Sequence, residues 1–314
     1  MAAATQTSSR LTDGPVSSLA DFSAWMLDRQ QHVESLAHAA LPAPNDQPVD
    51  LHRAMRYAVL DGGKRIRPLL AYATGECSGA DPAVLDAIAL GLEYIHAYSL
   101  VHDDLPCMDD DVLRRGKPTV HVAFGEATAM LAGDALQTEA FRVVALAPAP
   151  PQMVVALVRC LAEASGAGGM CGGQAIDLAS ENQSLSEACL EDMHGKKTGA
   201  LLKAAVMMAA RAGQLDQAQV SCLDRFAAAV GLAFQVVDDI LDVEATSAEL
   251  GKTVGKDQQQ NKSTYVTVMG LARAKERAAQ LLTVALSALH DTGLPASRHA
   301  RLQHLARLVV ERRH

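Results

Sequence analysis

The chain has 314 residues, 49% of them apolar and only 4% aromatic, with a formal net charge of −8. It can bury a large core, but it offers no general basic face for a nucleic-acid backbone. Six scattered cysteines include no C-x-x-C pair and no zinc-like spacing, which favours free thiols in a reducing compartment and predicts a cytoplasmic protein.

Residues 1–19, rich in Ala, Ser and Thr, read as a flexible tail, and one domain is expected over 20–314. The N-terminus shows no basic segment ahead of an apolar one, and no stretch approaches the roughly 20 uninterrupted apolar residues of a stable membrane span. Alanine and leucine recur with few β-branched runs, which favours helix over sheet. Breakers then divide the chain: the cluster at Pro42, Pro44 and Pro48, the pair Gly62 and Gly63, Asp81 with Pro82, Pro106, Pro118, the prolines of 148–151, the glycines of 166–173, Gly213, and the glycines of 251–255. About ten helices or more result. The windows "AVLDAIALGLEYIHAYSLVHDD" and "LDRFAAAVGLAFQVVDDILDV" are apolar almost all round, as befits the central helices of one large all-α bundle.

The chemistry-bearing stretches follow in the same order. "GGKRIRP" sets Lys64, Arg65 and Arg67 behind two glycines that let backbone approach an anion, and arginine's planar fork matches phosphate oxygens. A solvated helix start has the same composition. "VHDDLPCMDDD" gathers five aspartates in eleven residues. Pro106 cannot donate to the turn before it, so the helix is expected to end near Asp104, with Asp103 and Asp104 at the end of the macrodipole that disfavours anions. "HGKKTGALL" offers Lys196, Lys197 and Thr198. "DDILD" is a second acidic cluster, in which Asp238 and Asp242 stand about 40° apart on one helix face.

Carboxylates on apolar helices must be paired, protonated or bound to metal. Arg114 and Arg115 are too few to balance both clusters. All-oxygen ligation without His or Cys at ligand spacing suits Mg²⁺, which keeps waters and shares its shell with substrate phosphates. The loop lacks the EF-hand order for calcium. Either cluster alone could be a solvated surface; two on apolar helices point to a metal and a diphosphate.

Taken together, "GGKRIRP", "HDDLPCMDDDVLRRGKPTVH", "GGQAIDL", "HGKKTGALL", "FQVVDDILDV" and "GKDQQQNKSTY" resemble the successive motifs of the trans-isoprenyl diphosphate synthases, most of all those of the bacterial farnesyl diphosphate type. The resemblance runs from about Asp21 to the C-terminus. It implies an all-α bundle around a deep central cavity, commonly homodimeric, and a prenyltransferase that condenses isopentenyl diphosphate with dimethylallyl and then geranyl diphosphate. It also implies three Mg²⁺ ions held by Asp103, Asp109 and Asp238, supported by Asp104, Asp239 and Asp242. Arg114, Lys197, Lys252 and Lys262 contact the allylic diphosphate in that family. Gly63, Lys64, Arg67, His96 and Arg115 form its metal-free site for isopentenyl diphosphate, and Gln174 and Asp177 bond metal-bound water.

The implied reaction ionises the allylic diphosphate, so metal, Arg and Lys must stabilise charge on the leaving group. Oxygens of Thr198 and Gln235 face the carbocation, the departing diphosphate takes the final proton, and residues 251–262 form a lid. Tyr98 lies roughly 7 to 8 Å behind Asp103 along the helix. With Ser99 beside it and "LPCM" widening the motif, it resembles the floor of enzymes that stop at farnesyl diphosphate, C15. A geranylgeranyl or geranyl diphosphate synthase is the alternative, followed by a non-catalytic synthase subunit. A terpene cyclase needs no second cradle, and a phosphohydrolase needs a water-activating base that the motifs lack.

Overall fold

The computed structural model describes residues 19–180, 183–244 and 263–312. In chain order the helices are α1 (Leu19–Ala40), α2 (Val49–Val59), α3 (Ile66–Ser78), α4 (Pro82–Asp103), α5 (Val120–Phe124), α6 (Glu126–Ala145), α7 (Pro151–Ser165), α8 (Met170–Ala179) and α9 (Glu187–His194). A π-helical turn, Gly195–Gly199, leads into α10 (Ala200–Ala212), followed by α11 (Gln217–Glu244), α12 (Tyr265–Met269), α13 (Leu271–His290) and α14 (Ala296–Glu311). The fold is all-α, as its composition predicts.

Helix α4 is the axis of the bundle. The Asp81 side chain caps it by accepting the Ala83 N–H at 2.8 Å, and Pro82 occupies the first turn, where no N–H is needed. Ile88, Leu92, Tyr94 and Ile95 are fully buried, and each such side chain stabilises the fold by about 1.5 to 3 kcal/mol. The helix packs chiefly on α6 and α3. It stops where Pro106 forbids continuation: Asp103 is its last residue, and Asp104 caps it with its N–H on Leu100 O at 3.1 Å. The second long core helix, α11, packs mainly on α13 and α10 and buries Phe226 and Val236 completely.

Two features differ from the sequence expectation. Leu113–Arg114 and Lys117–Pro118 pair as a short antiparallel hairpin, β1 and β2, whose turn residues Arg115 and Gly116 both have positive φ. Moreover, two stretches, Pro82–Asp103 and Pro151–Ala179, are long and apolar enough on length and composition alone to cross a membrane. The first is the mostly buried core helix α4. The second breaks into α7 and α8 between Ser165 and Met170.

Candidate active site

The acidic motifs end up on two core helices whose faces meet across one cavity of about 830 Å³. Asp103, from the end of α4, and Asp238, from α11, both line it. Burial pushes the Asp103 carboxyl up to about 6; Lys197 opposes that shift and Asp109 adds to it. Asp109 is brought back beside Asp103 because the proline-terminated turn folds over, its N–H bonding Asp103 O at 2.8 Å.

The second aspartate of each pair is placed differently. Asp104 is 2% exposed and accepts from Arg114 at both oxygens, Oδ1 from Nε at 2.8 Å and from a terminal nitrogen at 2.5 Å, and Oδ2 from Nε at 2.9 Å. Asp239 is 4% exposed and accepts from the Tyr265 N–H at 2.7 Å and from Gln235 Nε2 at 2.9 Å. Asp242, one turn further along α11, is half-buried and outside the cavity lining.

A second set of residues lining the cavity is cationic. Gly63, Lys64, Arg67, His96 and Arg115, drawn from four separate segments, all line it. Arg67 has a buried Nε with no hydrogen-bond partner among the described residues. Burial holds its pKa down to about 10 against the pull of Glu93 and Asp238. The His96 imidazole lies well below its ordinary pKa, first because it is buried and then because Arg67, Arg115, Arg114 and Arg65 surround it. It is therefore neutral, able to donate one hydrogen bond without adding charge. Arg65 departs from the cradle suggested by its motif. It sits at φ 51°, buried, donating to Glu93, to Glu34 Oε2 at 2.6 Å and to Val59 O at 2.6 Å. Its charge is consumed by Glu34 of α1 and Glu93 of α4, with the Val59 carbonyl of α2 as a third partner.

Between the two ends lie Lys197 and Thr198, on the π-helical turn. Gly173 of α8 passes so close that a Cβ there would stand 2.2 Å from Lys197 N. Lys197 Nζ bonds Asp177 Oδ2 at 2.6 Å. Thr198 Oγ1 donates to Gln235 Oε1 at 3.1 Å, which continues the chain of bonds to Asp239. Gln174 lines the same cavity, and neither of its amide atoms has a partner among the described residues. Along the apolar limb, Tyr98, Ser99 and His102 face Met170, Cys171 and Leu178. The Tyr98 ring meets His102 edge-on, with centroids 5.8 Å apart.

Among the described residues no three acidic, imidazole or thiol side chains converge on a point that would hold an ion alone. An oxygen-only donor set spread over two helices fits hydrated Mg²⁺ that completes its shell with water and phosphate, and the orphaned Gln174 amide fits a bond to such water.

The family model described as polyprenyl synthetase matches residues 48–293. The chain belongs to that family. It is 48% identical to the farnesyl diphosphate synthase of Escherichia coli over 87% of this chain and 92% of that protein. It is 45% identical to that of Haemophilus influenzae, over 93% and 99%. A more distant relative, a chloroplastic geranylgeranyl pyrophosphate synthase of Arabidopsis thaliana, is 43% identical over 93% and 84%. Among solved structures, the chain is similar to a Helicobacter pylori geranyltransferase complexed with magnesium and isoprenyl diphosphate. That match has a TM-score of 0.84 and 33% identity and covers 95% of this chain and all of that one.

Most of the site residues expected of this polyprenyl synthetase come together in the cavity. Lys252 and Lys262, with the 251–262 stretch, lie outside the described residues. Two contributors were missed. Glu93 lines the cavity and anchors Arg65. Arg312 reaches Asp238 from the C-terminal helix, and only the basic "ERR" at the chain's end marked it in the sequence.

Proposed function

We propose that this polyprenyl synthetase is a Mg²⁺-dependent farnesyl diphosphate synthase that adds isopentenyl diphosphate to dimethylallyl and then to geranyl diphosphate. The observation that carries the reading is that one cavity is lined both by two carboxylates, Asp103 and Asp238, and by a set of cations at Lys64, Arg67 and Arg115. A diphosphate beside Asp103 and Asp238 would need cations between the like charges, whereas one among Lys64, Arg67 and Arg115 would not. The curated relatives named above support the farnesyl product, and the Helicobacter relative's magnesium and isoprenyl diphosphate support the cofactor.

Bound Mg²⁺ supplies charge neutralisation for the leaving diphosphate. The chain's own residues do the rest. Asp103 and Asp238, with Asp109 beside the first, hold the ions, and Asp104, Asp239 and Asp242 support them. Arg114 and Lys197 face the same leaving group, with Lys252 and Lys262 assigned there by their motif. Lys64, Arg67, Arg115 and neutral His96 fix isopentenyl diphosphate beside Gly63, which replaces a bimolecular encounter with a positioned one. Thr198 lines the cavity and is bonded to Gln235 behind it, and the oxygens of this pair would stabilise a carbocation as dipoles. Tyr98, with Ser99 beside it, closes the apolar limb and limits the product to C15.

The catalytic unit spans residues 20–314 and acts as a homodimer in the cytoplasm. The exposed Val122, Met130 and Leu131 on α5 and α6 support a self-association face. The six free cysteines support a reducing compartment.

The test is one incubation of the purified chain with isopentenyl diphosphate, dimethylallyl diphosphate and Mg²⁺, followed by chromatography of the dephosphorylated products. Farnesol as the main product is expected. Geranylgeraniol would move the reading to a C20 synthase, and no condensation would refute it.

A further inference from the structure

Arg312 caps α14, its N–H on Leu308 O at 3.1 Å, and turns its side chain toward Asp238. The guanidinium stacks over the Phe234 ring, Cζ 4.0 Å from the centroid. One terminal nitrogen donates both to Phe234 O at 2.8 Å and to Asp238 Oδ1 at 2.7 Å. The Arg312 side chain is 10% exposed while that of Asp238 is 43% exposed. Lys64 is a neighbour as well: burial lowers its pKa first, Arg312 lowers it further, and Asp238 pulls it back up.

Arg312 does not depend on the carboxylate for its position. Arg312 has anchors independent of the carboxylate, namely the helix end, the aromatic face and the Phe234 carbonyl. Asp238 keeps substantial access to the cavity. The carboxylate can therefore change partners while the arginine stays in place. A divalent ion approaching Asp238 meets a positive charge bonded to the oxygen that it needs.

We propose that Arg312 is a built-in competitor of the metal at Asp238, a guanidinium counter-ion that must yield the carboxylate oxygen before the ion can take it. The proposal rests on the reading of Asp238 as a metal ligand. Its consequence is that ions alone bind weakly at the second motif. Ions arriving with a diphosphate, which adds oxygen ligands of its own, overcome the competition. Metal loading is thereby tied to the presence of substrate.

The experiment is a Mn²⁺ titration followed by electron paramagnetic resonance, on the full chain, with and without inorganic pyrophosphate. Without pyrophosphate, Arg312→Gln should bind Mn²⁺ on the order of five- to tenfold tighter than the unsubstituted protein, the loss of one partly exposed ion pair. In an Asp238→Asn background the same substitution should change nothing. Phe234→Leu, which keeps the arginine but removes its ring, should tighten binding in the same direction by a smaller factor, and it serves as the probe if Arg312→Gln fails to fold. Equal or weaker Mn²⁺ binding by a folded Arg312→Gln protein overturns the proposal. So does an undiminished gain in the Asp238→Asn background, which would assign the effect to the general field. No Mn²⁺ binding by the unsubstituted protein, even with pyrophosphate, overturns the metal reading of the site and the competition with it.

Discussion

Gly63→Ala offers a selective way to damage one end of the cavity. Gly63 has φ +99°, and a Cβ there would lie 2.8 Å from one terminal nitrogen of Arg115 and 2.9 Å from the other. Those atoms are the far end of a flexible side chain, so the chain accommodates the methyl by swinging the guanidinium away. The backbone strain costs on the order of 1 to 3 kcal/mol of stability. The displaced guanidinium costs one charge-assisted bond to the second diphosphate, about 1.5 to 3 kcal/mol. That corresponds to an increase of roughly ten- to a hundredfold in the KM for isopentenyl diphosphate. The KM for geranyl diphosphate should stay within about twofold, because its ligands lie at Asp103 and Asp238, and the strain acts on folding. Steady-state condensation assays varying each substrate in turn, with thermal melts as a folding control, measure both. An unchanged KM for isopentenyl diphosphate in a folded variant, or equal increases for both substrates, would refute the assignment of Arg115 and Gly63 to the second-substrate cradle.

Asp103→Ala or Asp238→Ala should lower turnover on the order of a thousandfold or more while the helical circular dichroism is retained; near-normal activity in either would remove the metal-ligand role. Tyr98→Ala opens the limb between α4 and α8 and should lengthen the product beyond C15, read by chromatography; an unchanged C15 product counts against Tyr98 as the floor. Glu93→Gln leaves the Arg65 side chain, 3% exposed, with Glu34 as its remaining acid, and should cost about 3 kcal/mol in urea denaturation; a loss below about 1 kcal/mol would show the pair to be dispensable. His194, stacked on Tyr265 with both ring nitrogens unpartnered among the described residues, is held down to about 4 by burial, with Asp177 opposing. An unfolded histidine takes up a proton near 6.5 and the folded one does not, so this contribution is present above about pH 6.5 and lost as pH falls toward 4, about 3 kcal/mol in all. His194→Phe should remove that part of the acid sensitivity in denaturation curves between pH 7 and 4.5, and an identical pH dependence would disprove it.

Features written in consecutive residues were legible without coordinates. Pro106 ended α4 where its missing N–H requires, and the apolar windows around both acidic motifs became the buried axes of the bundle. Features that depend on distant partners were not legible. Arg65 reads as a member of the phosphate cradle until Glu93, 28 positions away, claims it. Arg115 gains its direction from a turn with two positive φ values, which "RRGK" hints at only through its glycine. The π-helical turn that carries Lys197 and Thr198 has no composition of its own, and the close approach of Gly173 of α8 to its backbone joins residues more than twenty positions apart. The break between α7 and α8 is marked by glycines, yet hydropathy alone merges the two into a membrane-length stretch.

The doubled aspartates of the two motifs are explained by the helix itself. Consecutive residues on an α-helix point about 100° apart, so if one carboxylate faces the cavity its neighbour turns along the wall. At the end of α4 that neighbour, Asp104, grips Arg114 with both oxygens and so fixes the hairpin that presents Arg115. On α11 the neighbour, Asp239, receives Gln235 and the first N–H of α12, the helix that resumes the described chain after residues 245–262. In each pair the first aspartate addresses the cavity and the second ties down a following segment, the hairpin that bears Arg114 and Arg115 after the first motif and the start of α12 after the second. A single carboxylate at either place could face the cavity or secure the segment, but it could not do both. The doubling therefore couples the position of each cavity-facing carboxylate to the position of the segment that its neighbour secures.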